Sequence, residues 1–411
     1  MLTPKEIVNK AENELFEEFK KIDEIAEYNQ KKVLDAFCKN KIGEEHFYTV
    51  TGYGHDDLGR EALDKVFADA FECEAAIVRP HFVSGTHTLA CVLFGLLHYG
   101  DHMISIAGAP YDTMEEVIGK RKGEYFETSL MGNGVEYDEI PLKDEFDVDY
   151  ENIPNYIKPN TKLVLIQKSR GYSLRKSLSL EDIKKIVDIV KGINPNIICF
   201  VDNCYGEFTD IKEPVNVGAD IMAGSLIKNP GGGIVEAGGY IAGKERLVEL
   251  CARRLTSPGI GREGGAMFNS TRIILQGFFM APSVVANALK GAILAAKVFE
   301  EKGYITHPHS KDKRVDLIQT IKFNSGKEQE TFCRVVQKYS PVESYLTPIP
   351  DTVPGYDCKL IMAGGSFIEG STIELSADGP IRPPYAVYMQ GGLSYYHVKI
   401  ALMGILEEFR V

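Results

Sequence analysis

The chain has 411 residues, 44% hydrophobic and 25% charged, a balance that suits a globular protein with one large core and room for a smaller domain. Its 58 acidic residues against 46 basic ones leave a formal net charge of −12, which argues against a nucleic-acid partner, because phosphate neutralisation requires basic surface. The eight cysteines include no Cys-x-x-Cys pair, so neither a zinc site nor a thioredoxin-like motif is expected and no metal ligand set stands out.

The opening residues "MLTPKEIVNKAENELFEEF" lack the basic segment and apolar core of a signal peptide. The apolar runs "LACVLFGLL" and "AILAAKVF" are too short to span a bilayer. A cytoplasmic protein with no membrane partner is expected. Over about 4–39, Ile7, Ala11, Leu15, Phe19, Ile22, Ala26 and Val33 recur at helical spacing, and Thr3, Pro4 and Glu6 mark the start. This arm has an apolar stripe to bury, either on the chain's own second domain or on a second subunit.

From about residue 75 the pattern changes. "AAIVRP", "HMISIAG", "KLVLIQK", "NIICFVDN", "ADIMAGS" and "GGYIAG" read as buried strands, with helix-like stretches between them at "TLACVLFGLLHY", "YDTMEEVIGKR" and "LEDIKKIVDIVKGI". Alternation of this kind predicts an α/β fold, a mainly parallel central sheet with helices on both faces. Ligands of such sheets bind outside the carboxyl ends of the strands. Residues 270–302 predict one or two helices, interrupted near "APSV". The remainder combines a β-rich stretch, "TIELSADGPIRPPYAVYMQGG", with a final helix, "YHVKIALMGILEEF". The expected division is a helical arm over 1–45, a large α/β domain over 46–290 and a smaller α+β domain over 291–411.

Four features fall at predicted strand ends. In "RPHFVSGTHTLACVL", Ser84, Gly85 and Thr86 open a helix and offer backbone N–H groups and hydroxyls at its positive end, which suits a phosphate and equally suits a plain helix cap. Tyr111 follows another strand, as a packing residue or a stacking one. Asp202 ends "CFVD", where an acid binds a cofactor or caps a turn. In "AGSLIKNPGGG" (223–233), Ser225 and Lys228 follow the next strand, and a lone lysine there is more often surface decoration. The combination raises all four. An aldehyde cofactor with a pyridine ring needs a lysine amine for a Schiff base, a carboxylate for the ring nitrogen, N–H donors for its phosphate and an aromatic to stack on, and pyridoxal 5′-phosphate (PLP) has these needs. No Gly-x-Gly-x-x-Gly follows a first strand, which disfavours a dinucleotide fold.

"DNCYGEF" followed by "GSLIKNPGGG" resembles the aspartate and lysine motifs of fold type I PLP enzymes. More closely, "GYGHDDLGRE", "SGTHT", "KSRGYS", "SLIKNPGGGI" and "GLSYYH" resemble, over nearly the whole chain, the family named for aluminium resistance, which is grouped with methionine γ-lyase and the cystathionine enzymes. The resemblance implies Lys228 as the Schiff-base lysine and Asp202 as partner of the ring nitrogen. It implies Gly85 and Thr86 as phosphate ligands, with Ser84 at the same turn and Ser225 adding a hydroxyl, and Tyr111 stacked on the ring. Tyr53 resembles the tyrosine that reaches a neighbouring subunit's phosphate, with Arg60 a weaker candidate for similar work, and Arg170 falls near the position that contacts the ring hydroxyl. Two departures stand out. Ile227 precedes the lysine where better-known γ-lyases carry a hydroxyl residue, and the late arginine that holds the substrate carboxylate has only Arg382, before two prolines, as its counterpart.

The implied activity is a carbon–sulfur lyase that eliminates a thiol from Cβ or Cγ of a sulfur-containing amino acid and leaves a 2-keto acid and ammonia. Lys228 is the expected base and Tyr111 a candidate acid for the leaving sulfur. The same scaffold also suits γ-replacement or transamination, and a non-catalytic relative serving stress or metal tolerance is a further alternative. Shared active sites imply a homodimer or homotetramer. The blander motifs remain blander: "THPHSK" reads as a loop, His81 and His87 as packing or capping residues, and "SPGIGREGGA" (257–266) as a flexible loop or a site-lining one.

Overall fold

The computed structural model describes residues 2–121, 123–171, 173, 175–352 and 358–409. In chain order these form α1 (Pro4–Asn13), α2 (Phe16–Lys39), α3 (Leu58–Ala70), β1 (Ala75–Arg79), α4 (Gly85–Leu96), β2 (His102–Ser105), α5 (Asp112–Ile118), β3 (Glu136–Glu139), α6 (Ile153–Tyr156) and β4 (Thr161–Gln167). There follow α7 (Leu180–Ile193), β5 (Ile198–Asp202), β6 (Ile221–Ser225), β7 (Gly239–Gly243), α8 (Glu245–Leu255), α9 (Thr271–Glu301), β8 (Ile305–His307) and β9 (Gln319–Lys322). The chain closes with α10 (Gly326–Lys338), β10 (Leu360–Ala363), β11 (Ser376–Pro380), β12 (Ala386–Gln390) and α11 (Tyr395–Glu408).

Two compact units result. The larger comprises residues 31–226 and 235–276 and is built on a sheet of order β1-β7-β6-β5-β4-β2-β3. Pairs β2–β3, β2–β4, β4–β5 and β5–β6 are parallel, whereas β7 runs antiparallel to both β1 and β6. The sheet is mainly parallel, as its continuous apolar strands predict. Ile77, Phe200, Ala223 and Ile241 of the strands are buried with Leu89, Val92 and Leu93 of α4 and Val248 and Cys251 of α8. Burial also pushes the Cys91 thiol up to about 11, so it stays protonated and packs as a small apolar group. The polar β3, "EYDE", escaped the sequence pattern because it is an edge strand whose residues are partly exposed.

The smaller unit comprises residues 1–30, 227–234 and 277–411, with an antiparallel sheet of order β10-β11-β12-β9-β8. The amino-terminal arm is two helices rather than one. Thr3 accepts from Glu6 N–H at 3.2 Å while Glu6 accepts from Thr3 N–H at 2.7 Å, a reciprocal cap worth about 1 kcal/mol. The arm docks on its own unit: Glu12 takes hydrogen bonds from Tyr395 and Lys399 of α11 at 2.7 and 2.6 Å, and Phe19 meets the Tyr395 ring edge-on at 5.5 Å.

The predicted interruption near "APSV" is absent, since α9 continues through Pro282 for 31 residues. A proline forfeits one helical hydrogen bond and crowds the preceding turn. Here the buried stripe of Ala281, Val285, Ala288, Leu289 and Ala292 holds the helix together, and Gln30 donates to the Phe279 carbonyl at 3.0 Å. As one continuous element α9 is long and apolar enough to cross a membrane, which the short apolar runs of the sequence had not suggested. Its apolar window is 72% buried within the protein, as in a core helix. The glycine run after Lys228 is a packing device. Gly232 has φ +57°, and a Cβ there would stand 2.3 Å from the Gly277 carbonyl oxygen on α9.

Candidate active site

The carboxyl ends of β4, β5 and β6 lie side by side in the larger unit, with Gln167 opposite Asp202 and Asp202 opposite Ala223. Asp202, 8% exposed, accepts the Cys204 N–H at 3.1 Å, so the chain turns back over the strand end and holds its carboxylate. Ser84 caps α4 by accepting the His87 N–H at 3.0 Å, which leaves Gly85 and Thr86 in the first turn, where N–H groups have no intrahelical acceptor. That turn is pressed against β6. A Cβ added to Gly85 would lie 3.3 Å from Ser225 Cβ and 4.0 Å from Cys204 Sγ. A Cβ there would narrow the space between this helix end and Ser225, which glycine leaves open.

Tyr111 sits at the start of α5, and its N–H donates to Gln167 Oε1 at 2.7 Å while Gln167 Nε2 donates to the Ser169 carbonyl at 2.9 Å. The Thr86 and Thr113 hydroxyls are 2.8 Å apart, which ties the first turns of α4 and α5 together. Arg170, buried in the loop after β4, donates from Nε to Ser177 Oγ at 3.2 Å. Sequence-predicted Ser84, Gly85, Thr86, Tyr111, Arg170, Asp202 and Ser225 thus gather at one edge of one sheet. Lys228 follows the end of β6 by three residues, half-buried at the head of a short turn in which Gly231 N–H donates to its carbonyl at 3.2 Å. Arg382 lies exposed in the turn between β11 and β12 of the smaller unit.

Tyr53 is 81% exposed, its ring stacked on His55 at 5.8 Å and its carbonyl accepting the Gly265 N–H at 2.7 Å. Arg60 differs from expectation. It is 1% exposed, and its guanidinium is committed to the carbonyls of Gly54, Gly265 and Glu263, so it cannot reach a neighbour's phosphate. Burial first, and then the nearby Arg79, pull its pKa below the usual arginine value. It rivets the "GYGHDD" loop to "SPGIGREGGA". Arg60→Ala is expected to cost roughly 3 kcal/mol in urea unfolding, because it removes three hydrogen bonds of a buried guanidinium and leaves the buried Gly54 carbonyl without its donor. A loss below about 0.5 kcal/mol would remove it from this role.

The methionine gamma-lyase family model matches residues 4–410. The chain belongs to that family. Membership places it among the PLP-dependent carbon–sulfur lyases with the type I fold, and it implies pyridoxal 5′-phosphate as cofactor. A solved Listeria monocytogenes protein, named as a candidate cystathionine beta-lyase involved in aluminium resistance, is 50% identical with a TM-score of 0.95, covering 98% of each chain. A Clostridium novyi carbon–sulfur lyase involved in aluminium resistance is 47% identical with a TM-score of 0.94, covering 98% of this chain and 95% of its own. YnbB of Bacillus subtilis, an uncharacterized protein, is 48% identical over 95% of this chain and 92% of its own.

The residues present suit the cofactor that this methionine gamma-lyase family member would take. The open space at Gly85, the first-turn N–H groups and Ser225 make a cradle for a phosphate, and the carboxylate of Asp202 stands on the strand next to Ser225. Sequence reasoning missed two residues of the site region. Gln167, a polar residue ending an apolar strand, carries the Tyr111 backbone, and Asn203 is wholly buried directly after Asp202. A polar side chain breaking a buried apolar run was the available signal for both.

Proposed function

We propose that this protein is a PLP-dependent carbon–sulfur lyase that eliminates a thiol from Cβ or Cγ of a sulfur-containing amino acid, consuming water and leaving a 2-keto acid and ammonia. The observation that carries the reading is the meeting of α4's first turn with Ser225, beside Asp202 and three residues before Lys228. In this reading Gly85, Thr86, Ser84 and Ser225 hold the phosphate, and Asp202 accepts the ring N–H. When bound, the cofactor supplies a protonated ring that withdraws the electron pair left at Cα. Lys228 Nζ would hold the cofactor covalently and, once displaced by the substrate amine, would be the neutral amine that takes the Cα proton. Tyr111 would stack on the ring and donate a proton to the departing sulfur, Arg170 would serve the ring hydroxyl, and Arg382 is the candidate for the substrate carboxylate.

We further infer a homodimer, or a tetramer built from such dimers, in which Tyr53 serves the partner's phosphate. The 81% exposure of this aromatic on a loop held by Arg60 supports that reading. The experiment is a product assay with methionine, cystathionine, cysteine and homocysteine, reading thiol, 2-keto acid and ammonia together. Equal amounts of all three are expected. Transfer of the amino group to an added keto acid, with no ammonia released, would replace elimination with transamination.

A further inference from the structure

Behind Asp202 lies a buried polar cluster that the reaction above does not use. Asn203 is wholly buried, and its Nδ2 donates to Glu213 Oε2 at 2.9 Å and to the Tyr240 hydroxyl at 3.3 Å. The Tyr240 hydroxyl in turn donates to Glu207 Oε1 at 2.8 Å, and Glu213 also accepts the Phe208 N–H at 3.0 Å. Lys168, 1% exposed, donates to the Gly206 carbonyl at 3.2 Å. A Cβ at Gly206 would stand 2.5 Å from Lys168 Nζ and 2.7 Å from Asn203 Oδ1, so lysine and amide face the same small space. Phe67 and Phe71 pack on the Tyr240 ring at 6.2 and 5.3 Å, which excludes water from one side.

The carboxylates of Glu207 and Glu213 and the Lys168 ammonium are buried here, and the Lys32 ammonium also acts on Glu213. Burial raises the Glu213 pKa, with Lys168 opposing, and burial also raises that of Tyr240, with Glu207 next in size. Hydrogen bonds hold the Asn203 amide through Nδ2, while its Oδ1 is buried with no hydrogen-bond partner. That hold reaches the strand end through one residue. Asn203 N–H donates to Ala223 O at 3.0 Å, its side chain is pinned by Glu213 and Tyr240, and the next residue, Cys204, supplies the N–H on Asp202 Oδ1.

We propose that Asn203 is the positioning residue for Asp202, and that Tyr240, Glu207, Glu213 and Lys168 form the mount that holds Asn203 in place. This rests on the lyase reading, in which Asp202 meets the ring nitrogen. Asn203 touches neither substrate nor cofactor and acts through the 202–204 turn alone.

The test is a double-mutant cycle on PLP binding to the full-length protein, with the bound cofactor's visible absorption maximum as a second readout. Asn203→Leu keeps the volume and removes the hydrogen bonds, and it should weaken PLP binding by about tenfold, the size of a lost outer-shell bond. It should also shift the absorption maximum toward that of Asp202→Asn. In the Asp202→Asn background the same change should add less than about twofold, because residues acting as one unit are not additive. Multiplicative losses, or an unshifted maximum in Asn203→Leu, would overturn the proposal. If Asn203→Leu does not fold, Tyr240→Phe replaces it in the same cycle with the same two criteria. A native protein that binds no PLP sinks the lyase reading first, and that result is distinct from an additive cycle on a native protein that binds it.

Discussion

In the Lys228→Ala variant, turnover of any sulfur amino acid is expected to fall by roughly 10⁴-fold or more, because the proposed reaction loses general-base transfer at Cα together with covalent attachment of the cofactor. Alanine removes the amine and leaves the backbone at the head of the Asn229–Gly231 turn, so the glycine packing on α9 survives and the variant folds. Attachment is read independently of activity. Borohydride should fix the cofactor of the native protein on the peptide that carries Lys228, and no label should appear in the variant. A label on Lys168, a buried lysine directly after β4, would overturn the assignment. Its burial and its bond to the Gly206 carbonyl argue against that outcome.

The second large effect belongs to Asp202→Asn. The amide matches the carboxylate in size and still accepts the Cys204 N–H, so the 202–204 turn is retained. What it lacks is the negative charge that, in the proposed reaction, would keep a proton on the ring nitrogen. Losing one preorganised electrostatic contact of this kind costs on the order of 10²–10³ in kcat. The loss should fall on kcat far more than on KM, since the charge matters once electrons leave Cα. Steady-state kinetics over the substrate that gives the highest rate checks this. An Asn variant within about threefold of the native kcat would mean that Asp202 only caps a turn.

Much of the fold was legible because buried parallel strands are short apolar runs and their helices are amphipathic. "LEDIKKIVDIVKGI" is α7 residue for residue, and the strand stretches contain β1, β2, β5, β6 and β7 whole and all of β4 but Thr161. The misses share a cause. The polar edge strand β3 has no apolar signature to find. The arm breaks after Asn13 although its periodicity runs on, and α9 continues although Pro282 signals a stop. Each of these was decided by what the segment packs against.

The same division runs through the site. Residue type and order already pointed to a lysine, an aspartate, a glycine turn and an aromatic at successive strand ends, because strand polarity and connection rules place them there before any contact is known. Nothing in the order of residues could say that Arg60 is locked on three carbonyls, that Gln167 carries the Tyr111 backbone, or that Asn203 is pinned to Glu213 and Tyr240. Those partners come from segments far apart in the chain, and a side chain's hydrogen bonds and burial exist only once the sheet has closed around it. Local chemistry is written in short stretches of the chain, whereas the electrostatic environment of each group is a property of the packed interior.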